Sequence, residues 1–154
     1  MFKGNALVIG ASGGIGKTLV KQLYGSGNFE RVYAVSRTFP SMPIEGVEYY
    51  ALDSENENFV AQYCQQLKDA GGQFSLIVCC IGALLSSATD NTKVMPEKRL
   101  EDIQQEQLKF YFNVNTIIPA IWLKYVEALL KGAHPSKLVF FSARVGSISD
   151  NYLG

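Results

Sequence analysis

"LVIGASGGIGKT", Leu7 to Thr18, reads as a buried strand that runs into a glycine-rich turn and then a helix. Two phosphate-binding devices share this outline. One is the nucleoside-triphosphate P-loop, G-x-x-x-x-G-K-[ST]; the other is the first turn of a dinucleotide-binding βαβ unit. A P-loop needs glycine five residues before Gly16, where Ala11 stands, and Gly10 is one residue too early. It also needs a second strand ending in Asp to hold magnesium, and "SLIVCC" and "KLVFFS" end without one. Lys17 and Thr18 therefore read as ordinary helix residues. The glycines fall instead as G-x-x-x-G-x-G at Gly10, Gly14 and Gly16. In that arrangement Gly10 ends the strand in a tight turn, and Gly14 lets backbone approach a pyrophosphate. Gly16 lets the helix pack against the strand, and the helix N-terminus offers free N–H groups and positive potential.

Working outward, apolar runs alternate with helical patterns. Strands are predicted at Asn5 to Gly10, Arg31 to Ser36, Val47 to Leu52, Phe74 to Cys80 and Ser136 to Ser142. The first helix, Gly14 to Gly25, carries Ile15, Leu19 and Leu23 on one face. A second, polar-faced helix runs from Glu55 to Ala70 and is closed by Gly71-Gly72. A loop from Gly82 to about Pro96 precedes a helical region extending to about Lys131, with a solvated start at Pro96 to Glu106. Strands of continuous apolar character separated by helices indicate a parallel sheet covered on both faces. The prediction is one α/β domain over residues 1–154, a Rossmann-like doubly wound parallel sheet.

Composition excludes several classes. The chain is 47% apolar and 18% charged, with 14 basic and 14 acidic residues. It has no basic field of the kind that nucleic acid or anionic lipid requires, so neither partner is expected. The longest nearly apolar run, Phe74 to Leu85, is too short to span a bilayer as a helix. Met1-Phe2-Lys3 leads almost directly into a strand, so no signal peptide is expected and the cytoplasm is the expected compartment. Cys64, Cys79 and Cys80 have no metal-ligand spacing and read as buried reduced thiols. No metal site is expected; the single histidine, His134, reads as a loop residue.

The segment "GASGGIG" (Gly10 to Gly16) closely resembles the cofactor loop of the short-chain dehydrogenase/reductase family, and further matches follow in order. "LDS" (Leu52 to Ser54) resembles the segment with the family's adenine-contacting Asp. "NVNT" (Asn113 to Thr116) resembles the catalytic-Asn segment, and "FFSARVGS" (Phe140 to Ser147) the catalytic-Ser segment. "PEKRLED" and "RVGSISDN" resemble the C-factor-like branch. The resemblance covers the whole chain. It implies strand order 3-2-1-4-5, with strands six and seven of the family missing from these residues. It implies a nicotinamide cofactor held by Gly10, Ser12, Gly13, Gly14, Ile15 and Gly16 of the loop, by Asp53, and by Gly82 after the fourth strand. Gly82 is all that survives of the family's "NNAG". The activity implied is hydride transfer involving a small carbonyl or alcohol substrate, in a homo-oligomer.

The end of the second strand reads the adenosine ribose. An acid there bonds the 2′-hydroxyl, whereas an Arg accepts a 2′-phosphate. Here the strand ends "AVSRT", with Ser36, Arg37 and no acid, and Ser12 adds a nearby hydroxyl. NADP(H) is favoured over NAD(H). The alternatives are a surface role for Arg37 and a helix-capping role for Asp53.

The catalytic set implied by the family is a Tyr kept acidic by a Lys four residues later, a Ser on the carbonyl oxygen and an Asn supporting a water relay. Asn115 matches the Asn. Pro119 cannot donate to the Asn115 carbonyl four residues back, so a kink that leaves this oxygen able to hold water is expected. Where the family reads Ser-Ser-x-x-Gly, this chain has Ser142-Ala143-Arg144-Val145-Gly146, so Ser142, Ser147 or neither serves, with Ser142 favoured. None of the eight tyrosines has Lys four residues later; Tyr111, for example, has Asn115. The 154 residues are therefore expected to be inactive alone. The alternative function is a non-catalytic nucleotide-binding or signalling module. "KLVFF", without a sixth strand beside it, would be a sticky sheet edge that favours self-association or marginal stability.

Overall fold

The computed structural model describes residues 4–84, 97, 99–130, 135–143 and 149. Five parallel strands form one sheet in the order β3-β2-β1-β4-β5. They are β1 (Asn5–Ile9), β2 (Val32–Ser36), β3 (Val47–Ala51), β4 (Phe74–Cys79) and β5 (Lys137–Phe140). Helix α1 (Gly14–Gly25) links β1 to β2, and α2 (Glu57–Asp69) links β3 to β4. Between β4 and β5 come a 3-10 turn (Leu100–Asp102), α3 (Gln105–Phe112), a π-helical segment (Asn113–Ile117), α4 (Ile118–Val126) and a second 3-10 turn (Glu127–Leu129).

β1 is central, and all five of its residues are buried. Alternate residues face opposite layers, as strand geometry requires. Leu7 and Ile9 join a core with Val60, Tyr63 and Leu67 of α2 and Trp122 and Val126 of α4. Ala6 and Val8 pack on the other face with Val20 of α1 and Ala34 of β2. Small residues there let α1 lie close to the sheet. On α1 itself the buried residues are Gly16 and Val20, with Leu19 and Leu23 packed against them. Ile15 departs from the face expected for it: it is 59% exposed. It lies in the first turn, over the strand ends rather than over the sheet.

α2 begins where Asn56 accepts hydrogen bonds from the N–H groups of Asn58 and Phe59. It ends at Ala70, after which Gly71 adopts φ +71°. The Gly71 and Gly72 N–H groups then bond Lys68 and Leu67 carbonyls, satisfying the last turn. Among the described residues β5 pairs only with β4, and its Val139 and Phe140 are exposed. The helical region expected from Pro96 onward is instead interrupted. Its first described turn is 3-10, α3 starts only at Gln105, and a π-helical segment separates α3 from α4. Among the described residues no helix is long and apolar enough to cross a membrane.

Candidate functional site

The chain leaves β1 toward β2 and β3, then returns across the sheet to β4 and β5. The order therefore reverses between β1 and β4, and the carboxyl ends of these strands border a crevice where open α/β sheets bind ligands. "GASGGIG" forms its floor. Gly10 turns with φ +81°. A Cβ there would lie 3.0 Å from the Ile81 nitrogen and 3.1 Å from the Cys80 carbonyl carbon, so the loop abuts the exit of β4. The N–H groups of Gly10 and Ala11 both donate to the Val35 carbonyl at 2.9 Å, tying the loop to β2. A Cβ on Gly16 would strike the Gly10 carbonyl oxygen and come within 2.8 Å of Ala11 Cα. Only glycine lets α1 start this close to the strand.

The N-cap of α1 is Gly13, which contributes no side-chain cap, and the first turn carries no acidic residue. The Gly13 N–H is taken by the Gly10 carbonyl at 3.2 Å. The N–H groups of Gly14, Ile15 and Gly16 have no intrahelical acceptor, as at any helix start. Space around Gly14 is open to 4 Å from where a Cβ would sit. Three free donors, a helix dipole and room for a bulky anion fit a diphosphate. The Thr18 hydroxyl, which a P-loop would turn toward magnesium, donates to the Gly14 carbonyl at 3.0 Å.

The adenosine side of the crevice lies over β2 and β3. Ser36 is only 7% exposed, and its hydroxyl donates to the Thr38 carbonyl at 2.7 Å. That bond fixes the turn from which Arg37 projects, exposed. Ser12 is exposed one residue beyond Ala11. Asp53 is exposed, and one carboxylate oxygen accepts the Glu55 N–H at 3.0 Å, a local turn rather than the cap of α2, which Asn56 supplies. The next residue, Ser54, accepts the indole N–H of buried Trp122 at 3.1 Å, anchoring this loop to α4.

On the far side, β4 runs out through Cys80 and Ile81 to Gly82. Burial pushes the Cys80 thiol up to about 11, so it lines the exit as a neutral group. The Asn115 amide meets the backbone beyond Gly82 twice. Its Oδ1 accepts the Ala83 N–H at 2.8 Å, and its Nδ2 donates to the Ala83 carbonyl at 2.9 Å. One helical turn earlier, the Tyr111 hydroxyl donates to the Leu84 carbonyl at 2.9 Å. Tyr111 was not anticipated as a site residue, although its spacing of four from Asn115 places both on one helix face. Desolvation and the Glu97 carboxylate push its phenol up, opposite to the shift a proton donor needs.

Asn115 sits inside the π-helical segment, where the Ile118 N–H donates to the Asn113 carbonyl, five residues back. Pro119 follows in the first turn of α4 and supplies no N–H to the Asn115 carbonyl. The run of helical backbone continues through this segment, with five-residue bonding just before the proline. Ser142 lies beyond β5, exposed. Ser147, Tyr152 and His134 fall outside the described residues. Among the described residues no three His, Cys, Asp or Glu side chains group as a metal site.

No protein-family model matches the sequence, and no curated protein matches it. Solved structures do. Sniffer of Caenorhabditis elegans, a proposed carbonyl reductase, is 22% identical with a TM-score of 0.79, covering 100% of this chain and 69% of that one. A short-chain dehydrogenase family protein from Francisella tularensis is 22% identical with a TM-score of 0.73, covering 96% of this chain and 54% of that one. A proposed short-chain dehydrogenase/reductase from Burkholderia multivorans with bound NADP is 17% identical with a TM-score of 0.77, covering 98% of this chain and 63% of that one. The chain has the fold of the short-chain dehydrogenase/reductases, a parallel sheet in order 3-2-1-4-5 flanked by helices. It spans roughly half to two thirds of the length of these proteins.

Proposed function

We propose that this chain is the nucleotide-binding part of an NADP(H)-dependent short-chain oxidoreductase of the C-factor-like branch. The observation that carries the reading is the uncapped glycine start of α1, backed onto the Gly10 carbonyl at the switch point of the sheet. The loop residues Gly10 to Gly16 hold the diphosphate. Ser12 and Arg37 face a 2′-phosphate, from a turn that Ser36 fixes. Asp53 meets the adenine, and the segment at Gly82 borders the nicotinamide. When bound, the nicotinamide supplies or accepts hydride at the carbon of a small carbonyl or alcohol. Similar structures hold NADP in two cases, NADPH in a third and NAD+ in a fourth, which supports a nicotinamide dinucleotide and leaves the preference to Arg37.

Asn115 and Ser142 are the catalytic residues of this proposal; Asn115 acts through its backbone carbonyl, its amide being engaged with Ala83. The protein acts in the cytoplasm as a homo-oligomer. An apolar groove formed by Ile103, Leu108, Phe112 and Ile117 is the contact surface. The second reading is a non-catalytic nucleotide-binding or signalling module.

Fluorescence titration with NADPH and NADH, followed by addition of a generic aldehyde, tests these readings. Saturable binding with tighter NADPH is expected. Tighter NADH contradicts the assigned nucleotide, and no binding of either contradicts the function. Binding without turnover excludes an active reductase within these 154 residues.

A further inference from the structure

Tyr111 and Asn115 together engage three backbone groups of two consecutive loop residues: the Ala83 N–H, the Ala83 carbonyl and the Leu84 carbonyl. The partners lie about thirty residues away in sequence, so each bond ties α3 and the π-helical segment to the exit of β4. The Asn115 amide holds the Ala83 backbone beyond the last pair of β4 and β1, Cys79 with Ile9. Tyr111 extends that hold by one residue. The clip sits on only one side of the crevice. Arg37 and Asp53 are on the β2–β3 side, whereas Gly82 to Leu84 follow β4. A dinucleotide spanning the switch point with its adenosine over β2 places its other half over this loop. A Cβ on Gly82 would lie 3.4 Å from Asn115 Oδ1, so the clip also sets how closely the loop approaches the helix.

We propose that Tyr111 is a positioning residue for the nicotinamide half of the crevice, holding the Gly82–Leu84 loop against α3 through its bond to the Leu84 carbonyl. The inference rests on the dinucleotide reading. It gives Tyr111 no contact with substrate and no proton to transfer, because its hydroxyl hydrogen is already donated within the protein. Loss of the hydroxyl therefore weakens only ligands that reach the loop.

The test is Tyr111→Phe in the 154-residue chain, which keeps the ring and removes one neutral hydrogen bond. Calorimetric affinities are measured for NADPH and for 2′-phospho-ADP-ribose, which lacks the nicotinamide. NADPH is expected to bind about three- to tenfold more weakly, the equivalent of one such bond, with 2′-phospho-ADP-ribose unchanged. Equal weakening of both ligands, or no change in either, overturns the proposal. A wild-type chain that binds NADPH no better than 2′-phospho-ADP-ribose, with no amide shift at Gly82–Leu84 on adding NADPH, also overturns it. That measurement needs no variant. A wild-type chain that binds neither ligand overturns the dinucleotide reading itself, and this proposal with it.

Discussion

Gly16 stands against the carbonyl oxygen of Gly10, so close that a Cβ would overlap it. Gly14, two residues earlier on the same helix start, faces open space. The two glycines therefore separate folding from binding. Gly16→Ala must push α1 away from β1 and is expected to cost about 1–3 kcal/mol, the usual range for overpacking. Gly14→Ala meets no atom and restricts the unfolded chain, so stability is expected to hold or rise by about 0.4–1 kcal/mol. Its methyl would still occupy the space left for a diphosphate. Urea denaturation alongside NADPH titration checks both: Gly16→Ala loses stability and binding, Gly14→Ala binding alone.

Trp122 and Ser54 give a second prediction. The indole is fully buried, and its N–H has the Ser54 hydroxyl as acceptor. Ser54→Ala leaves that donor unpaired, at an expected cost of about 1–3 kcal/mol. Trp122 is the only tryptophan, so its emission reports the unfolding midpoint directly.

Burial raises the Cys64 thiol from its ordinary 9.0 to about 12. The folded state therefore prefers the neutral thiol. This contribution is fully present below pH 9.0 and is lost as pH rises toward about 12. The adjoining Tyr63 phenol is also pushed up, by burial first, and acts in the same direction. Urea midpoints should fall on the alkaline side in wild type and fall less in Cys64→Val. Thiol reagents at pH 8 should label Cys64 only after unfolding.

The groove on α3 predicts self-association. Phe112 is 62% exposed beside Ile103, Leu108 and Ile117. Phe112→Glu is expected to shift light-scattering mass toward the monomer while leaving the far-UV spectrum intact. A monomeric wild type at micromolar concentration would contradict this surface. A shift produced only by polar substitution of Phe140 on β5 would move the contact to the open sheet edge.

The sheet was largely legible because its strands are short, apolar and separated by helical periodicity. β1, β2, β3, β4 and β5 each fall within two residues of expectation, and α1 has the expected bounds. The glycine spacing located the tight turn at Gly10 and the close approach at Gly16, since both are backbone requirements written directly in residue type. The face of α1 was misread at Ile15 because periodicity alone does not say where a helix projects past its sheet. The region after β4 was less legible. Pro119 marked altered bonding, but not that it takes the form of a π-helical segment beginning at Asn113. The bonds from Asn115 and Tyr111 to the loop join residues about thirty apart, beyond the reach of local pattern. Asp53 likewise yielded the cap of α2 to Asn56, a choice between two good capping residues that depends on where the chain turns.

The most direct measurement is a nitrogen-15 correlation spectrum of the folded chain titrated with 2′-phospho-ADP-ribose. The account predicts saturable shifts in the amides of Gly13, Gly14, Ile15 and Gly16, accompanied by Arg37. A spectrum that stays folded while these amides remain unmoved at millimolar ligand would contradict it.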